Sequence, residues 1–142
     1  ISAMMVHLGD ADGMVCGLVG RYEAHLEHVR DLIGLKPGAS GFAAMNALML
    51  DKHTLFIADT FVNEDPDAAT LADIAVQAAD AVRRFGLPPR VAFLSHSMFG
   101  SSTRPSARKM RAARDLFVQR RPDVEADGEM HGDAALSESV RD

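Results

Sequence analysis

Apolar positions along the chain fall into two periods. In "RYEAHLEHVRDLIG", Tyr22, Leu26, Val29 and Ile33 share one helical face, and Gly34 supplies a C-terminal stop. "DPDAATLADIAVQAADAVRRFG" has the clearest helical pattern. Asp65 is its expected cap, Pro66 suits the first turn, and Leu71, Ile74, Ala78, Val82 and Phe85 form the stripe. Arg83 and Arg84 close it at the negative end of the dipole, before Gly86. "RPSARKMRAARDLFVQRR" predicts another helix, with Pro105 near its start, Pro122 beyond its end, and Ala107, Met110, Ala113 and Phe117 buried.

Between these lie short apolar runs with strand character. Gly13 to Val19, "GMVCGLV", reads as a short buried strand, and "KPG" at 36–38 as a turn. "FAAMNALML" and "LFIADTFV" flank "DKHT" and predict a hairpin. "PPRVAFLS" is apolar throughout, as expected of a strand covered on both faces. "DVEAD" reads as a further short strand and "GDAALSESVRD" as a last helical turn or two. Alternating strands and helices predict a three-layer α/β fold. The hairpin makes its sheet mixed, mostly parallel, because strands joined by a tight loop run antiparallel.

Length and charge narrow the picture. At 142 residues, the chain has the size of a single α/β lobe, 1–142. Its 47% apolar and 25% charged residues are those of a globular protein, and a net charge of -5 argues against nucleic acid as a partner. No apolar run reaches the roughly 20 residues of a membrane span, so no membrane partner is expected. The single cysteine, Cys16, excludes an internal disulfide framework and fits a cytoplasmic location. Lying in an apolar run, it reads as a small core residue. The opening "ISAMMVHLG" has no signal-peptide pattern, and the start at Ile1 suggests a piece of something longer.

Three polar loops follow apolar runs, where ligands bind in open α/β sheets. The first carries Asp59, Thr60 and Asn63. The second, "SHSMFGSS", carries Ser95, His96, Ser97, Gly100, Ser101 and Ser102. The third, "DGEMHGD", carries Asp127, Glu129, His131 and Asp133. Small residues, hydroxyls and a following helix N-terminus give the second loop the parts of an anion site. Equally, they give it the parts of a capping turn. It is neither a Walker loop nor a nucleophile elbow. The third loop suits a metal or acid-base cluster by composition, and a solvated turn by its polarity. His25 and His28 stand among Glu23, Glu27 and Arg30, which reads as a solvated face, and Arg104 to Arg121 as the exposed side of its helix. The methionines read as core filler.

Taken together, "LGDADGMVCG", "IGLKPGAS", "FIADTFVNEDP", "LSHSMFGSS" and "DGEMHGDAAL" resemble the phosphate acetyl/butyryltransferase family. The order and spacing resemble most the carboxyl-terminal, phosphotransacetylase-like domain of NADP-dependent malic enzymes. The resemblance spans nearly the whole chain and implies the middle lobe of a larger acyltransferase-like domain. That lobe is expected to resemble isocitrate/isopropylmalate dehydrogenase and to bind acetyl-CoA or a phosphate-type anion together with a second lobe. The family's Ser-Arg-Gly segment and coenzyme A stretch are expected further on. The resemblance also implies a homo-oligomer. No cofactor is expected in the chain itself; NADP and a divalent metal, Mg or Mn, are expected in the parent enzyme. Where working transferases carry Ser-x-Ser-Thr-Lys-Gly-Ser, Met98 and Phe99 replace the Thr-Lys pair. A lysine beside an anion would contribute about 1.5–3 kcal/mol per charge-assisted bond. Its loss favours regulation over turnover, with a catalytic phosphate acetyltransferase lobe as the alternative. The cleft candidates are Asp59, Asn63, Ser95, Ser97, Gly100, Ser101, Asp127 and Glu129, with no catalytic and no metal-binding residue assigned.

Overall fold

A computed structural model describes residues 1–51 and 53–141. Lys52, in the expected hairpin loop, and Asp142, in the expected last helix, lie outside the described residues. The chain divides into two compact units, Ile1–Ala39 and Ser40–Asp142.

The first unit holds α1 (Ser2–Leu8) and α2 (Tyr22–Leu32). α1 is not among the helices expected from the sequence. It ends at Gly9 in the left-handed region, with the Asp10 N–H returning to the Met5 carbonyl. Its only buried side chain is Ala3. The expected strand at 13–19 is not formed: Val15 and Leu18 are fully exposed and Cys16 is an exposed thiol, not a core residue. Gly17 and Gly20 adopt φ of 127° and 102°, which breaks the extended course a strand needs. α2 follows the expected helix and stops with the Gly34 N–H on the Val29 carbonyl. His25 Nε2 lies 2.8 Å from the Val19 carbonyl, so this histidine fastens the preceding loop.

The second unit contains β1 (Met45–Met49), β2 (Thr54–Ala58), α3 (Ala68–Arg84), β3 (Arg90–Leu94), α4 (Pro105–Arg120), β4 (Glu125–Met130), α5 (Gly132–Leu136) and α6 (Glu138–Arg141). β1 and β2 form the expected antiparallel hairpin, with Ala47 opposite Phe56. β3 and β4 run parallel, joined by α4 as a βαβ unit. The class is therefore α/β. Among the described residues, however, the strands make two separate two-stranded sheets, not one mixed, mostly parallel sheet.

Packing explains the departures from the expected helix faces. α3 is capped by Asp67, whose carboxylate accepts the Thr70 N–H at 2.8 Å, because that side chain lies three residues before the donor. Asp65 pairs with Lys109 instead. The buried face of α3 is Ala72, Ile74, Ala75 and Ala79. Phe85 lies past the helix end, largely exposed, its ring 5.4 Å from Phe56. Small residues dominate because α3 packs on α4, whose own buried positions are Ala107, Ala113 and Phe117. Phe93 of β3 and Phe117 meet at 5.8 Å, tilted by 59°, and Val124 completes this core. Of β3 only Phe93 is buried; Ala92 and Leu94 are exposed, so the strand is not covered on both faces within this unit.

Candidate functional site

The register of the parallel pair sets up the site. Phe93 pairs with Gly128, but Leu94 pairs with Met130, so Glu129 is an extra residue in β4. Such a bulge breaks the alternation of side chains and re-aims one of them. Gly128, Glu129 and Met130 are accordingly buried in succession. Gly128 has φ 129°, and a Cβ there would stand 2.5 Å from the Phe93 carbonyl oxygen, so the bulge requires glycine.

The serine loop folds over this bulge. The Ser95 N–H donates to the Met130 carbonyl at 2.9 Å and the Phe99 N–H to the Glu129 carbonyl at 2.8 Å. Met98 and Ser101 close a turn on each other: Met98 N–H to Ser101 Oγ at 3.0 Å, Ser101 N–H to the Met98 carbonyl at 2.9 Å. Phe99 takes φ 42° at the tip, a left-handed conformation unusual for a bulky residue, and is about half exposed. Ser102 Oγ accepts the Arg104 N–H at 3.2 Å, leading into α4.

The centre of the loop is filled by a carboxylate of the chain itself. Glu129 Oε1 accepts from Ser97 Oγ at 3.0 Å, the Gly100 N–H at 3.1 Å and Arg111 Nη1 at 2.7 Å. Both Arg111 terminal nitrogens also donate to the Ser102 carbonyl at 3.2 Å. Glu129 is fully buried, Arg111 three-quarters so, and among the described residues Oε2 has no hydrogen-bond partner. Burial alone would push the Glu129 carboxyl up. The Gly100 and Ser97 bonds and the Arg111 charge outweigh it and hold the group below its usual range. Glu129 is therefore an anion at neutral pH.

The other candidates divide differently. Asp59 is a staple at the end of β2: Oδ1 accepts the Ala44, Phe61 and Val62 N–H groups, and Oδ2 accepts the Asn63 backbone and side-chain donors. Asn63 Nδ2 also reaches the Phe42 carbonyl at 3.0 Å. Partial burial raises the Asp59 carboxyl, but these donors outweigh it and keep it low. Thr60 bonds Asn46. No hydrogen bond among the described residues joins Asp59 or Asn63 to the serine loop. Ser95 lies 3.4 Å from Ser97, oxygen to oxygen. Asp127 is half exposed, accepting the Gly128 N–H and standing 4.0 Å from Arg114.

"DGEM" is therefore strand and buried bulge, not a solvated turn. His131, at the N-cap of α5, and Asp133, in its first turn, remain exposed. Among the described residues no group of three or more His, Cys, Asp or Glu side chains is arranged to hold a metal ion. Arg111 does not stand out in the sequence, because the basic row of its helix has the pattern of a solvated face. Its spacing of four from buried Ala107 was the available signal.

With this geometry in view, the sequence profile of phosphate acetyl/butaryl transferases matches residues 1–142 throughout. The chain belongs to this family. It is 54% identical over 141 residues to an NADP-dependent malic enzyme of Escherichia coli, covering 99% of this chain but 19% of that enzyme. It is 36% identical to a phosphate acetyltransferase of Deinococcus radiodurans, covering 99% of this chain and 20% of that one. A crystal structure of a phosphotransacetylase from Streptococcus pyogenes superposes with TM-score 0.89 at 33% identity, over 98% of this chain and 43% of that one. The chain thus spans about a fifth of the length of these curated relatives. The family's phosphotransacetylase-like domain occurs both in malic enzymes and in phosphate acetyltransferases.

Proposed function

We propose that this chain is a regulatory and assembly domain of an NADP-dependent malic enzyme, responding to acetyl-CoA and not itself transferring acyl groups. The observation that carries this reading is the state of the serine loop. Its inward donors are committed to Glu129, and its tip presents Met98 and Phe99 where the transferase pattern has threonine and lysine. Without that lysine, a phosphate at the tip loses its charge-assisted partner. The 54% identity to a malic enzyme, against 36% to a phosphate acetyltransferase, points the same way.

In this reading the chain is the middle lobe of a larger acyltransferase-like domain, built like an isocitrate/isopropylmalate dehydrogenase lobe, in a cytoplasmic homo-oligomer. No helix among the described residues is long and apolar enough to cross a membrane. Ser95, Ser101, Asp59, Asn63 and Asp127 face or frame the cleft shared with a second lobe. The parent enzyme decarboxylates malate oxidatively with NADP and a divalent metal. In this reading NADP and the metal are held by the rest of that enzyme.

Calorimetry of the full-length protein with acetyl-CoA, paired with malate turnover, tests this. Binding accompanied by a change in turnover is expected; no heat and unchanged turnover would remove the regulatory role. A second reading, a catalytic phosphate acetyltransferase lobe, draws on the likeness to the Streptococcus pyogenes phosphotransacetylase. Acetyl phosphate made from acetyl-CoA and phosphate would establish it.

A further inference from the structure

Three donors of different chemistry, a hydroxyl, a backbone N–H and a guanidinium, converge within 3.1 Å of a single oxygen, Glu129 Oε1. That is the set a bound oxyanion would attract. The bulge puts the carboxylate there: it inserts Glu129 into β4 as an extra residue, and Gly128 permits it, since a Cβ there would strike the Phe93 carbonyl oxygen. The carboxylate is fully buried, yet among the described residues Oε2 has no hydrogen-bond partner, an arrangement that costs free energy. An ion pair serving only to hold α4 could stand at the surface.

We propose that Glu129 is the resident anion of the Ser95–Ser102 loop: its carboxylate fills the place of a bound oxyanion, so the intact loop takes up no free phosphate or small carboxylate, and the emptied cradle accepts one. Ser97, Gly100 and Arg111 are the residues that would hold the incoming anion. This stands apart from the acetyl-CoA reading, since a failed acetyl-CoA response leaves it untouched.

Thermal unfolding of the full-length protein in chloride, formate and inorganic phosphate at equal ionic strength provides the test. Glu129→Ala is expected to melt more than about 5 °C below the wild type. Formate or phosphate should restore at least half of that loss, and Arg111→Met in the same background should abolish the rescue. Equal stabilisation of wild type and Glu129→Ala by these anions would overturn the proposal. A second arm needs no variant: in the wild type, amide hydrogen exchange of residues 95–102 should be unchanged by phosphate. Saturable slowing of exchange there would show that the loop is open to external anions, and the proposal would fall.

Discussion

At the scale of single residues, the site rests on one glycine, one carboxylate and one guanidinium. Gly128→Ala would set a methyl 2.5 Å from the Phe93 carbonyl at φ 129°. It is expected to cost about 2–3 kcal/mol in denaturant unfolding. Arg111→Met strips a buried carboxylate of its countercharge and is expected to cost about 3 kcal/mol. The Glu129 carboxyl titrates lower in the folded chain than in the unfolded one. Its stabilisation is therefore fully present above the unfolded value, about pH 4.3, and is lost as acid takes the pH through the folded value. The stability gap between wild type and Glu129→Gln should thus be constant near neutrality and close in acid. A gap that widens in acid would contradict the ionised, hydrogen-bonded state. "DGE" betrays none of this on its face, because polarity and a glycine describe a surface turn equally well. Only strand pairing reveals that Glu129 is an inserted residue pointing inward.

At the scale of elements, the helices and the hairpin were legible because periodicity and turn residues encode them locally. α3 and α4 lie close to their expected bounds, and β1 and β2 pair across the expected loop. What local pattern could not decide was which face of α3 turns inward. Of the expected stripe, Ile74 is buried and Leu71 packs against the core, but the close approach of α4 buries Ala72, Ala75 and Ala79 rather than Ala78, Val82 and Phe85. The Gly13–Val19 run misled for the opposite reason: apolar content without a neighbouring strand to satisfy its backbone does not make one. The core between the helices is expected to be intolerant at its aromatic centre, and Phe117→Ala should cost about 3–5 kcal/mol. The ionic ties at the C-terminal ends of these helices matter less. Arg121 bridges Asp80 at 2.7 Å and Asp123 at 3.0 Å, with Arg83 also on Asp123. These carboxylates are half exposed, so Arg121→Ala should cost no more than about 1 kcal/mol and less in high salt.

At the scale of the whole molecule, membership of the family comes from segments spread over all 142 residues, while the proposed regulatory function turns on the two loop positions, Met98 and Phe99, where this chain departs from the transferase pattern. The change from a cation to Met98–Phe99 was visible in the sequence; the filling of the loop by Glu129 was not, since it joins residues 29 to 32 positions apart. The missing cation is the departure on which the proposed reading rests; Glu129 belongs to the "DGEM" segment that carries the family resemblance. The most direct measurement is acetyl phosphate production by the full-length protein supplied with acetyl-CoA and inorganic phosphate. No production above the uncatalysed background is the expected result, and rapid turnover with Met98, Phe99 and Glu129 intact would contradict it.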